Sequence, residues 1–172
     1  MCEEPESGDV VLVDTNVFVA VGEPENAKYQ SLRDYANQRA LLLLIPQRVR
    51  QELTAMHVAN RVEHAVENGW AELVEPPSPT HSAAVAAMDT VRREIARRSD
   101  KDEHEVEKAD TVLAGLAIEF HQRRDADVFV LTDDRVAGAA IRQAVRQQGY
   151  DDAIHVVTRD DILDGGDDLR LV

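Results

Sequence analysis

The chain has 172 residues, 44% of them hydrophobic, with 33 acidic against 19 basic side chains and a formal net charge of −14. That size and composition predict one ordinary globular domain able to bury its own core, and no stretch approaches the roughly 18 to 20 uninterrupted apolar residues of a membrane span. The single cysteine, Cys2, excludes an internal disulfide and a cysteine-built metal cluster, and the acidic start MCEEPESGD lacks the basic and apolar regions of a signal peptide, so a cytoplasmic location is expected.

Residues 1–9 read as an acidic extension. Val10 to Val13 is an apolar run too short for a helix, and it predicts a buried strand over 10–14 that ends on Asp14. A helix is expected over 25–38, then a strand over 41–45 closed by Pro46, whose fixed backbone angle suits the first turn of a helix over 47–56. Glu52 falls in the second turn of that helix. A helix over 58–68 and a short strand over 71–74 lead into Glu75-Pro76-Pro77-Ser78-Pro79, a rigid loop and not a domain boundary.

A helix over 81–98 turns Val85, Met88, Val91 and Ile95 inward, and Ser99 to Glu103 is a polar break. The next helix, over 104–122, takes its apolar face from Val106, Leu113, Leu116, Ala117 and Phe120. Asp110 lies beside that stripe, followed by the small residues Ala114 and Gly115, which predicts a helix packed closely beneath a polar pocket. A strand over 127–132 delivers Asp133 and Asp134; a helix over 135–148, a strand over 153–157 and a short helix over 159–164 follow, with a mobile tail expected over 165–172. This alternation predicts an α/β fold over residues 10–164, a three-layer α/β/α sandwich around a central parallel sheet.

In such a sheet, ligands bind outside the carboxyl ends of the strands, where the chain leaves the sheet and polar groups face a crevice. Each acid there also has an ordinary reading. Asp14 would cap a segment starting at Thr15, Glu52 and Asp110 would lie on solvated helix faces, and Asp133-Asp134 would cap the helix beginning near Arg135. Their conjunction favours a cation. Two bare carboxylates about 4 to 5 Å apart repel by roughly 3 to 4 kcal/mol at an effective dielectric near 20, so several at one edge make a poor structural feature without a divalent metal. Oxygen ligands suit Mg²⁺ or Mn²⁺.

From about Val10 to Thr158 the chain resembles the PIN-domain nucleases, through four motifs in order. VDTNVF is similar to the family's opening motif, with Asp14 as metal-binding acid and Asn16 as its support. Pro46-Gln47-Arg48-Val49-Arg50-Gln51-Glu52-Leu53 is similar to the second, with Glu52 as the acid; ADTVLAGLA to the third, carried by Asp110; and LTDDR to the fourth, matched best by Thr132 and Asp134. Asp133 is a weaker match, and Glu107, one helical turn before Asp110, is a further acid to weigh.

The resemblance implies a metal-dependent endoribonuclease with Mg²⁺ or Mn²⁺ held by Asp14, Glu52, Asp110 and Asp134, joined or not by Asp133. Ions of this kind serve phosphodiester hydrolysis by activating water and neutralising charge on the phosphate. RNA is the implied partner, with no membrane. A toxin paired with a small antitoxin protein, an enzyme of ribosomal-RNA processing, an RNA-decay factor and a homodimer all stay open.

The net charge argues against nucleic acid in dilute buffer, since the usual sign of such binding is a basic patch. The kind of charge answers this: three lysines against sixteen arginines, amid so many acids, resembles proteins of a salt-saturated cytoplasm. At molar salt the Debye length is about 3 Å, so local contacts decide binding. The candidates are Arg48, one turn before Glu52 on the same helical side, and Arg135, just after the acidic pair. The Arg92-Arg93 and Arg97-Arg98 pairs read as a solvated, salt-bridged face.

Three other functions compete. A phosphohydrolase of the haloacid dehalogenase type needs a second Asp two places after the nucleophile, where this chain has Asn16. A non-catalytic RNA-binding or interaction module of the same fold would be favoured by loss of acids, and none is lost. A phosphorelay receiver is weaker still, for Thr158-Arg159 stands where a lysine is expected.

Overall fold

The computed structural model describes residues 4–78, 80–100, 102, 106 and 108–167. Five strands, β1 (Val10–Val13), β2 (Leu43–Pro46), β3 (Ala71–Val74), β4 (Val128–Leu131) and β5 (Ile154–Val157), form one sheet in the order β3-β2-β1-β4-β5. Every pairing is parallel, with Leu12 of β1 set between Leu44 of β2 and Val130 of β4. Strands β1, β2 and β4 are buried along their whole length, as continuous apolar runs in a covered parallel sheet must be.

The helices among the described residues are α1 (Thr15–Val21), α2 (Ala27–Gln38), α3 (Gln47–Ala55), α4 (Asn60–Glu67), α5 (Ser82–Ser99), α6 (Lys108–Arg124), α7 (Arg135–Gln147) and α8 (Arg159–Asp167). Alternate strand residues face opposite ways, and they divide the core in two. Val10, Leu12, Leu44, Val128, Val130 and Ile154 pack with α5, α6 and α7. Val11, Val13, Leu43, Ile45, Phe129, Leu131 and Val157 pack with α1 to α4 and α8. The expected three-layer α/β/α arrangement is therefore present, and among the described residues no helix is long and apolar enough to cross a membrane.

Three local details differ from the sequence expectations. Helix α1 follows β1 at once, with Asp14 as its N-cap and Gly22 at φ +77° ending it, where the sequence offers only a cap at Asp14 and no element between residues 14 and 25. Arg61 of α4 holds its far end, donating to the carbonyls of Phe18 (2.9 Å) and Val19 (3.1 Å) and pairing with Glu23. Pro46 belongs to β2, paired with Val74, and stands outside the first turn of α3. Helix α8 continues through Gly165 and Gly166 to Asp167, past the expected end of the folded unit; residues 168–172 lie outside the described residues.

Helix α6 is the central buttress. It is buried nearly all round, and its first turn crosses the carboxyl edge of the sheet: Ala109 packs into the core on one face while Leu113, Leu116 and Ala117 pack on the other. Gly115 allows this fit, since a Cβ there would lie 2.7 Å from the Met88 sulfur and 3.0 Å from Pro77 Cγ.

Candidate active site

The strand order creates the site. From the central strand β1 the chain moves outward through β2 to β3, and later from β4 to β5 on the other side, so the carboxyl ends of β1 and β4 flank the point where the winding reverses. Open α/β sheets bind ligands at that point. Asp14 leaves β1 there, and Thr132, Asp133 and Asp134 leave β4.

Asp14 is only 2% exposed. Its Oδ1 accepts from the Thr15 backbone N–H at 2.7 Å, and its Oδ2 accepts from Thr132 Oγ1 at 2.7 Å and from Asn16 Nδ2 at 3.0 Å. Burial pushes the Asp14 carboxyl above its ordinary range; the bonds from Thr132 and Thr15 pull it down, the charge of Asp134 pushes it up again, and a hydrogen bond with Asp110 lowers it. Desolvation thus outweighs the donors.

Asp110 reaches Asp14 from the first turn of α6, itself 8% exposed. Glu52, half-buried on α3, accepts from Thr15 Oγ1 at 3.1 Å. Asp134 is exposed and near enough to Asp14 to act on its charge, while its Oδ1 caps α7 by accepting from Val136 N (2.9 Å) and Ala137 N (3.1 Å). The cap reading of Asp134 is therefore present in the structure, on a residue that also lies close to Asp14. Thr132 joins the two ends, giving its hydroxyl proton to Asp14 and accepting from Asp134 N at 3.2 Å.

Asp133 faces another way. Its carboxylate accepts from Arg159 N at 2.9 Å and Arg159 Nε at 2.5 Å, at the turn from β5 into α8. Glu107 lies outside the described residues. Arg135 opens α7, exposed, beside Asp134. Arg48 sits one turn before Glu52 with its Nη1 on Gln51 at 3.2 Å and its Nε buried without a hydrogen-bond partner. On α5, Arg92 pairs with Asp89, and Arg97 and Arg98 with Glu94, which is the solvated, salt-bridged face expected.

Two contributors were not singled out from sequence as parts of the site. Thr15 fixes Glu52, and its signal was its place between Asp14 and Asn16. Arg159 engages Asp133, and its signal was a position two residues past the end of β5, at the same sheet edge.

Asp110 shares a hydrogen bond with Asp14, Asp134 lies close enough to act on its charge, and Glu52 is joined through Thr15. They do not form a closed coordination shell: among the described residues no three His, Cys, Asp or Glu side chains make a group that could already hold a metal ion. The donor chemistry nonetheless fits a hard divalent cation, being all carboxylate oxygen. Asp14, raised by burial despite three donors, is a group that a nearby cation would stabilise in its charged form.

Two clefts lie against the second half of α6, one of about 420 Å³ lined by His81, Glu119, Gln122 and Arg123 among others, and neither includes an acid of the site.

A family model described as Halobacterial PIN domain matches residues 7–169. No curated protein matches the chain.

Proposed function

Because the chain belongs to the halobacterial PIN domain family, whose fold is that of nucleases, we propose that it is a metal-dependent endoribonuclease that hydrolyses RNA phosphodiester bonds with Mg²⁺ or Mn²⁺. The observation that carries this reading is the buried Asp14 at the β1–β4 switch point, coupled there to Asp110 and Asp134.

Asp14, Glu52, Asp110 and Asp134 would hold the cation, which supplies charge neutralisation at the scissile phosphate and a more acidic water. The chain's own residues prepare that binding. Asp14 is pinned by three donors, so little of its freedom remains to be lost. Thr15 holds Glu52 toward the same edge. Asp134 retains its Oδ2 while Oδ1 caps α7. Arg135, exposed beside it, offers charge to a phosphate.

Asn16 argues against the phosphohydrolase alternative. Its amide donates to Asp14 and to Thr132 Oγ1 (3.3 Å) and accepts from Asp133 N (3.0 Å), a static brace with no acidic proton to give a leaving group.

The test is incubation with structured and single-stranded RNA at molar KCl, with Mn²⁺ or with EDTA. Cleavage with Mn²⁺ and none with EDTA is expected. RNA binding without cleavage under any divalent ion would leave a binding module in its place.

A further inference from the structure

We propose that Arg159 is a positioning residue for the candidate active site, acting through Asp133 to fix Asn16 and, with it, the Asp14 carboxylate. The chain of contacts is continuous. Arg159 grips both carboxylate oxygens of Asp133, Oδ1 from its backbone N–H and Oδ2 from its side-chain Nε. The Asp133 backbone N–H donates to Asn16 Oδ1 at 3.0 Å, and Asn16 Nδ2 donates to Asp14 Oδ2 at 3.0 Å.

The direction of the Asn16 amide depends on that link. Held by the Asp133 N–H, Oδ1 faces the β4–α7 loop and the NH₂ group faces the acid. The opposite flip would put a carbonyl oxygen against a carboxylate and an NH₂ against an N–H, leaving both sides unpaired. The Asp133 peptide is in turn steadied from its side chain, because the Arg159 contact ties the loop after β4 to the turn after β5. The pair is partly buried, with 20% and 23% side-chain exposure, and direct hydrogen bonding gives it a geometry that screening at molar salt does not remove.

The arrangement also decides which of two adjacent acids takes part. LTDDR offers Asp133 and Asp134 side by side, and Arg159 occupies the first with opposite charge while the second stays coupled to Asp14. Without Arg159, Asp133 would add an uncompensated negative charge beside an already acidic edge.

A merely structural pair would fasten α8 to the sheet and leave Asn16 alone; an RNA contact would act on substrate binding. A metal-free readout separates these. In ¹⁵N-labelled protein with EDTA, Arg159→Ala should shift the Asp133 backbone and Asn16 side-chain amide signals and speed their hydrogen exchange. Both variants keep the backbone donor, so Arg159→Lys, which also keeps the charge, should restore part of the change. In an Asp133→Ala background Arg159→Ala should add nothing, as expected of one shared contact.

The second readout rests on the metal-nuclease reading. Outer residues that orient metal ligands typically contribute about 10- to 100-fold in metal affinity, so Arg159→Ala should raise the Mn²⁺ concentration for half-maximal thermal stabilisation by about tenfold or more. Its KM for RNA should stay within about twofold of wild type, since the guanidinium is held by Asp133. Unchanged amide signals in Arg159→Ala would overturn the proposal, and so would a raised RNA KM with an unchanged Mn²⁺ midpoint. If the amides respond but wild type ignores Mn²⁺, the positioning stands and the metal-nuclease reading falls.

Discussion

Thr15 and Glu52, thirty-seven positions apart in sequence, meet through a hydroxyl–carboxylate hydrogen bond of 3.1 Å that joins the start of α1 to α3 across the carboxyl edge of the sheet. The residue after the first acid therefore orients the second. Thr15→Val, nearly the same shape, should lower stability by only about 0.5 to 1.5 kcal/mol, the net worth of one hydrogen bond, and reduce cleavage less than Glu52→Gln. A Thr15→Val enzyme as inactive as Glu52→Gln, yet fully folded by circular dichroism, would give the hydroxyl a direct part in the reaction.

Asp14→Asn, Glu52→Gln and Asp110→Asn should each cut RNA cleavage by roughly a hundredfold or more, since each removes a charged oxygen from a cation site, while near-native melting temperatures are kept in EDTA. Single-turnover assays at molar KCl with Mn²⁺ measure this. Full activity in purified Asp14→Asn would end the mechanism.

Asp134 caps α7, and in the proposed function it also holds the cation, two purposes that substitution can separate. Asparagine is as good an N-cap as aspartate, so Asp134→Asn should keep α7 and its stability while losing activity. Asp134→Ala should lose activity and about 1 kcal/mol as well. Asp133→Asn should lose less activity than Asp134→Asn, because it still presents an oxygen to Arg159. The reverse order in the cleavage assay would mean that Asp133 is the acid that counts.

Arg48→Ala should weaken RNA binding more than Arg97→Ala. Arg48 is one helical turn from Glu52, whereas Arg97 pairs with Glu94 on the solvated side of α5. Equal losses in fluorescence anisotropy at molar KCl would route the substrate along α5.

Asp14 gives stability a pH dependence of defined sign. Its folded-state carboxyl is raised, chiefly by burial. Its contribution to stability is therefore fully present below the unfolded value, near 3.8, and is lost as pH rises through the raised folded value. In EDTA, wild type should lose stability relative to Asp14→Asn across that interval. Mn²⁺ should offset the loss, since a ligand of the folded state alone stabilises by about 2.7 kcal/mol at a hundredfold excess over Kd, and Asp110→Asn should blunt the gain. Melting curves over pH at fixed KCl read all three. A wild type indifferent to Mn²⁺, beside a strongly destabilised Asp110→Asn, would make Asp110 a buried structural partner.

The order of elements and the acidic edge were legible because both rest on local patterns: short apolar runs ending in acids, and amphipathic spacing between them. The expected strand over 71–74 coincides with β3. Helix α1 was legible only in the cap reading of Asp14, because Val17, Phe18, Val19 and Val21 continue the apolar, β-branched character of β1. The different surroundings of Asp133 and Asp134 were legible only as a motif match. Asp133 is engaged by Arg159, which the chain brings to it from twenty-six positions away, a pairing that no spacing rule announces.

The tight seat of Gly115 reaches further than its own contacts. Asp110 rides on the same rigid helix, five residues earlier, and α6 has sulfur and proline ring pressed against it at Gly115. A single added methyl there would have to be absorbed by displacing Met88 and Pro77 or by shifting the helix, and the second course would carry the Asp110 carboxylate away from Asp14. Tolerance to change at position 115 is thus governed by the proposed acidic site about a turn and a half away as well as by packing, and a substitution there could disturb the carboxylate arrangement with every acidic residue intact.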